Sequence, residues 1–188
     1  MKKFIAVLAV LFVFVVIGLS WYISGLNRVV VLHEAVKAEW SQVETQLQRR
    51  NDLIPNLVNT VKGYAAHEKG IFTEITKLRS QWASATTRQD KIETANKMTD
   101  AISRLLLVAE NYPDLKANEN FLTLQSQLEG TENRISVARR RYNEKVRDFN
   151  TYIRTVFGSF FAKRRNLDRP EVYFEAEIAA KRVPKVEF

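Results

Sequence analysis

The sequence predicts an all-α protein: an N-terminal transmembrane helix followed by an elongated antiparallel four-helix bundle. Three observations predict it. An uncharged apolar run opens the chain, apolar residues then recur at steps of three and four, and no alternating β pattern competes with them. Six glycines and four prolines in 188 residues are too few for a loop-rich sandwich or a disordered chain.

Lys2 and Lys3 precede the apolar run Phe4 to Ile17, and no charge follows until Arg28. About 20 such residues cross the hydrocarbon core of a bilayer. Trp21 and Tyr22 stand where an interfacial aromatic belt belongs. A cleaved signal peptide has an apolar region of about 7–15 residues and a small-x-small cleavage site; this run is at the long end and Leu19-Ser20-Trp21-Tyr22 offers no Ala-x-Ala, which favours a retained anchor over residues 1–27. The two lysines argue for a cytoplasmic N-terminus and a soluble domain outside the membrane. Arg28 and Lys37 weaken that asymmetry.

A helical domain is expected over 28–166. Val29, Val36, Trp40, Val43, Leu47, Ile54, Leu57, Val61 and Tyr64 form one coiled-coil-like stripe, with Arg50 as its polar interruption. Pro55 removes a backbone donor, but the stripe keeps its phase across it, so the helix is expected to kink there and continue. Gly63 and Gly70 bracket a bend. A second helix carries Ile71, Ile75, Leu78 and Trp82. A connection at residues 83–87 leads to a third, with Ile92, Ala95, Met98, Ile102, Leu105, Leu106 and Ala109. Pro113 stops it at Tyr112. Asn118 can cap the fourth, whose stripe runs through Leu124, Leu128, Ile135, Tyr142, Val146, Phe149, Ile153, Val156 and Phe160. Continuous from residue 119 to 163, that helix would be about 65 Å long. A tail over 167–188, with a short helix at Glu171 to Lys181, is expected to be partly ordered.

Catalytic chemistry is hard to place on this chain. His33 and His67 have no partner at metal-ligand spacing, and cysteine is absent. Phosphate loops and nucleophile elbows are missing. The expectation is no enzyme, no cofactor and no metal. Net charge is +8, with acidic residues interspersed. Arg139-Arg140-Arg141 and Lys163-Arg164-Arg165 read first as solvated faces, then as contacts to membrane lipids; nucleic acid is not an expected partner. Asn51, Asp52 and Asn56 around Pro55, and Asn143 and Asn150 one heptad apart, are either surface amides or polar groups fixing register across helices. The adjacent Phe160 and Phe161 cannot face one way. With Tyr173-Phe174 in the tail they suggest exposed contacts between copies, with Phe161 and Phe174 as anchors.

The segment Arg50 to Val58, followed by Val61-Lys62-Gly63-Tyr64 and His67-Glu68, resembles the first signature of the bacterial LemA family. Tyr112 to Asn118 is similar to its middle turn. Leu128 to Ile135, which contains Glu132, with Ala138-Arg139 and Tyr142-Asn143, is similar to its third signature. The resemblance covers essentially the whole chain. It departs at Gly158, where the family commonly has proline after the Phe, so a sharp helix stop there is in doubt. The resemblance implies a four-helix bundle behind one membrane span and no established enzymatic activity. It implies envelope functions beside membrane metallopeptidase and TPM-domain proteins, and in one branch organelle membranes. Asn51, Asp52, Pro55, Asn56, Tyr64, Glu132, Arg139, Tyr142 and Asn143 carry over as structural or interaction positions. The expected function is a self-associating scaffold in the bacterial inner membrane with a periplasmic soluble domain. The alternatives are an accessory subunit of a membrane protease and a hydrolase with an unrecognised site.

Overall fold

The computed structural model describes residues 2–175, and among these every regular element is helical. They are α1 Lys2–Lys62, α2 Lys69–Ser84, α3 Arg88–Ala109, α4 Pro113–Lys116, α5 Glu119–Arg154 and α6 Val156–Arg164. The chain divides into two compact units. One comprises Met1–Glu39 and Asn143–Glu171, the other Trp40–Tyr142 and Val172–Phe188.

α1 runs unbroken through Pro55. Proline leaves the carbonyl of Asn51 without its usual helical donor. Burial of Ile54, Leu57, Val58 and Val61 on the stripe holds the segment helical regardless. After Lys62 the chain turns, with the amides of Tyr64 and Ala65 both donating to the carbonyl of Val61. Tyr64 is exposed, because α1 has ended and its side chain no longer shares the phase of the stripe.

In the second unit Phe72, Ile75, Leu78 and Trp82 are the buried residues of α2; Phe72 rather than Ile71 lies at the centre of its stripe. Thr87 caps α3: its Oγ1 accepts from the Asp90 amide at 3.1 Å and donates to the Asp90 carboxylate at 2.6 Å. Pro113 opens the single turn α4, where a missing N–H costs nothing, and Leu115 is buried from it. Asn118 caps α5 through Oδ1, 3.0 Å from the Phe121 amide. One apolar core joins Ile54, Leu57 and Val61 of α1 to the buried residues of α2, Met98, Ile102 and Leu105 of α3, Leu115, and Phe121 and Leu128 of α5.

In the first unit the expected single helix to residue 163 is two helices. Thr155 adopts extended backbone between α5 and α6; its Oγ1 donates to the Tyr152 carbonyl at 2.8 Å and accepts from the Gly158 amide at 3.0 Å. A capping residue thus sits inside the apolar stripe and restarts the helix in a new phase. Val156 and Phe160 leave the buried face in consequence and are exposed. Gly158 does not stop a helix; it lets one begin close to another. A Cβ there would lie 1.9 Å from the Tyr152 carbonyl oxygen.

α6 ends in a Schellman turn, with Leu167 N–H donating to the Ala162 carbonyl and Asn166 N–H to that of Lys163. Asn166 takes the left-handed position, φ 56°, that glycine usually fills. Glu171 to Glu175 has no regular structure rather than a helix, with the Glu175 amide donating to the Tyr173 carbonyl at 3.1 Å. The remainder of the predicted tail helix, Ala176 to Lys181, lies outside the described residues.

Gly158→Ala should therefore destabilise the protein by roughly 1–3 kcal/mol through overpacking. Chemical denaturation followed by circular dichroism measures this. A stability equal to that of the parent would contradict the close approach.

Candidate functional site

The strongest polar constellation in the second unit surrounds Arg50, which is 2% exposed. Its Nη1 donates to Thr99 Oγ1 at 2.8 Å and to Glu132 Oε1 at 2.9 Å, and its Nη2 to the Ala95 carbonyl at 3.0 Å. One side chain of α1 thereby ties α3 to α5. Its Nε is buried without a hydrogen-bond partner among the described residues. Arg139 lies one helical stretch beyond Glu132 on α5. Burial lowers the pKa of its guanidinium; the Glu132 carboxylate opposes that shift and the Arg50 charge adds to it. The sequence marked Arg50 only as an interruption. The available signal was a long cation at a core position, with Glu132 in a later motif.

Arg139 also caps an aromatic. Its guanidinium is 4.2 Å from the centre of the Phe174 ring, and Phe174 is buried. Tyr142 is fully buried, with its ring 5.3 Å from that of Trp40 and its hydroxyl donating to the Val172 carbonyl at 2.7 Å. Asn96 Nδ2 donates to the Glu175 carbonyl at 2.9 Å. These contacts fasten residues 172–175 along the unit. Phe174 is not the exposed anchor expected from the sequence, because its ring is buried beneath the Arg139 guanidinium.

In the first unit Asn150 is buried and pairs with backbone rather than with another helix. Its Nδ2 donates to the Glu171 carbonyl at 2.9 Å, and its Oδ1 accepts from the Glu171 amide at 2.8 Å. His33 Nε2 lies 3.1 Å from the Glu171 carboxylate, and its ring lies beside Phe149. Phe161 is likewise buried, not exposed: its ring lies against Gly25 and packs edge-on to Trp21 and Tyr22. Only glycine at position 25 leaves room for it.

The other predicted positions separate into two kinds. Asn51 is buried and Pro55 and Asn143 are half-buried. Asp52 and Asn56 are exposed; Asp52 accepts from Gln48 on the next turn. Tyr64 accepts from Asn118 Nδ2 at 3.0 Å, joining the end of α1 to the start of α5. His67 is exposed. Among the described residues no three His, Cys, Asp or Glu side chains are grouped to hold a metal ion. A groove of 750 Å³ is lined by Lys62, Lys69, Phe72, Thr73, Thr76 and Lys77, but Thr73 and Thr76 spend their hydroxyls on their own helix. The geometry joins helices and straps a segment onto them.

Comparing the removal of one partner with an apolar replacement of both tests the role of Arg50. Glu132→Ala leaves the guanidinium short of its counter-charge and should cost roughly 1–3 kcal/mol. Arg50→Met with Glu132→Leu should be less destabilised than Glu132→Ala alone, since an apolar pair leaves no charge buried. A double variant no more stable in urea denaturation than Glu132→Ala would refute the coupling.

Residues 39–188 match the LemA family. Protein LemA of Metamycoplasma hominis is 23% identical over 172 residues, covering 90% of this chain and 78% of that protein. Magnetosome protein MamQ of Magnetospirillum gryphiswaldense is 23% identical, and MamQ 2 of Paramagnetospirillum magneticum 25% identical, each over 175 residues. These matches cover 79% of this chain and 64% of either MamQ protein, less than two thirds of the latter. With the family match extending from the middle of α1 through every later helix, the chain belongs to the LemA family.

Proposed function

We propose that this protein is a non-enzymatic, membrane-anchored helical scaffold of the bacterial cell envelope that associates with copies of itself. The observation that carries the proposal is the first part of α1. It is long and apolar enough to cross a membrane, and its side chains from Phe4 to Leu19 are exposed rather than packed into a core. Water is a poor solvent for such a surface, and lipid is a good one. The polar clusters support the same reading from the other side. Arg50, Arg139, Tyr142, Asn96 and Asn150 spend their hydrogen bonds or ring contacts within the fold.

The finer reading assigns residues 1–27 to the anchor, 28–166 to an antiparallel four-helix bundle and 167–188 to a tail. The core shared by α1, α2, α3 and α5 supports the bundle. Lys2 and Lys3 beside the apolar run support a periplasmic soluble domain at the inner membrane. Confinement favours self-association: anchored copies share a plane and a polarity, which raises their effective concentration for one another. Phe161 and Phe174 are not its contact residues, since both are buried within the fold.

Two measurements test the proposal. The chain has no cysteine, so Ser84→Cys at the exposed end of α2 gives a single reporter. It should react with a membrane-impermeant thiol reagent in intact spheroplasts, and labelling only after lysis would reverse the orientation. Mass measurement in nanodiscs should give multiples of the 21.8 kDa chain. A uniform monomer would end the self-association, and a stoichiometric peptidase co-purifying with it would favour an accessory role instead.

A further inference from the structure

α6 has one face inside the fold and one outside it. Gly158, Phe161 and Ala162 are buried on the side that meets α1 at Gly25. The other side carries Val156, Phe157 and Phe160, exposed by 84%, 63% and 45%. Three large apolar residues on so short a helix form a patch rather than a scatter. Lys163, Arg164 and Arg165 follow at its C-terminal end, all exposed, and the Arg164 guanidinium lies 5.5 Å from the centre of the Phe160 ring.

The position of this patch is fixed by aromatic contacts. Phe157 meets Trp21 edge-on with centroids 5.3 Å apart, and Phe160 meets Tyr22 at 6.4 Å. Trp21 is itself half exposed. The outer surface of α6 is thus continuous with the exposed apolar surface of α1. If about 20 residues from Phe4 fill the hydrocarbon core, Trp21 and Tyr22 stand at its boundary. Side chains touching them stand at the same depth.

We propose that α6 is a second membrane contact, a short interfacial helix seated at headgroup level beside the span. Val156, Phe157 and Phe160 enter the acyl boundary, and Lys163, Arg164 and Arg165 lie among anionic headgroup phosphates. The proposal rests on the reading of α1 as a membrane span. A bilayer suits the patch better than a second copy, because the patch continues a lipid-facing surface and ends in cations at the height of the phosphates.

The test uses the full chain in nanodiscs of phosphatidylcholine and phosphatidylglycerol, with an environment-sensitive fluorophore on single cysteines and nitroxide-bearing lipids as quenchers. Phe157→Cys and, as a second variant, Phe160→Cys should lose emission to shallow nitroxides more than to deep ones. Val10→Cys should be quenched by deep nitroxides and Lys77→Cys by neither. Replacing the cations together (Lys163→Gln, Arg164→Gln, Arg165→Gln) should reduce the shallow quenching when phosphatidylglycerol is present. Labels at 157 and 160 that behave like the one at 77, while Val10→Cys is quenched, overturn the α6 proposal and leave the span standing. An unquenched Val10→Cys overturns the span and α6 with it. Labels at 157 and 160 in an apolar environment that no lipid quenches show that protein, a second copy included, covers the face, and overturn lipid contact.

Discussion

The guanidinium of Arg50 has to find partners wherever the helices around it come to rest. It is almost fully buried, and leaving its donors unmet would cost more than most single apolar contacts contribute. Three oxygens meet it: the Thr99 hydroxyl and the Ala95 carbonyl on α3, and the Glu132 carboxylate on α5. Apolar stripes alone tolerate sliding by a turn, because leucines and isoleucines at successive positions are nearly interchangeable. A fork of donors aimed at named oxygens does not. Slipping α3 so that Ala95 takes the place of Thr99 would leave Nη1 without that hydroxyl. The core below, from Ile54 to Val61 with Ile102 and Leu105, is packed in the register that this charge requires.

The same logic extends along α5. Glu132 receives Arg50, Arg139 shields Phe174, and Tyr142 holds the Val172 carbonyl. These residues recur at about a heptad or less, so they lie along one side of the helix. That line binds a helix at one end and an extended strap at the other. The Tyr142 ring is buried with its hydroxyl satisfying the Val172 carbonyl, and the Phe174 ring is buried under the Arg139 guanidinium.

Much of this was legible in the sequence. Val36, Trp40, Val43, Leu47, Ile54 and Leu57 recur at helical spacing, and all are buried. The positions of the Gly63 turn, the Thr87 connection and the Asn118 cap follow from local chemistry and needed no tertiary information. What escaped was decided at a distance. Thr155 lies in an unbroken apolar pattern, and its capping role depends on whether a Gly158 amide comes within reach. Once the helix restarts there, the phase of everything after it changes, so Phe160, expected on the stripe, is exposed and Phe161, expected as an exposed contact, is buried. Asn150 read as either a surface amide or a register-setting group between helices, but an amide cannot be told from sequence to prefer a backbone that follows it by 21 residues. Arg50 is the clearest case, because a lone cation in a stripe reads as a blemish until its acceptors on two other helices are known.

The Asn150 contact also sets an order of assembly during synthesis. The amide is buried, and both hydrogen bonds that satisfy it come from the backbone of Glu171. Trp21 and Tyr22 leave the ribosome long before Phe161, whose ring packs against them. The stretch of α1 from Trp21 to Gly25 therefore emerges well before the ring that packs on it. Chains usually condense from the N-terminal side as they are made. In this unit Trp21, Tyr22 and Gly25 meet Phe161 only when translation has passed residue 161, so a nascent chain halted earlier leaves that stretch of α1 without the ring that packs on it.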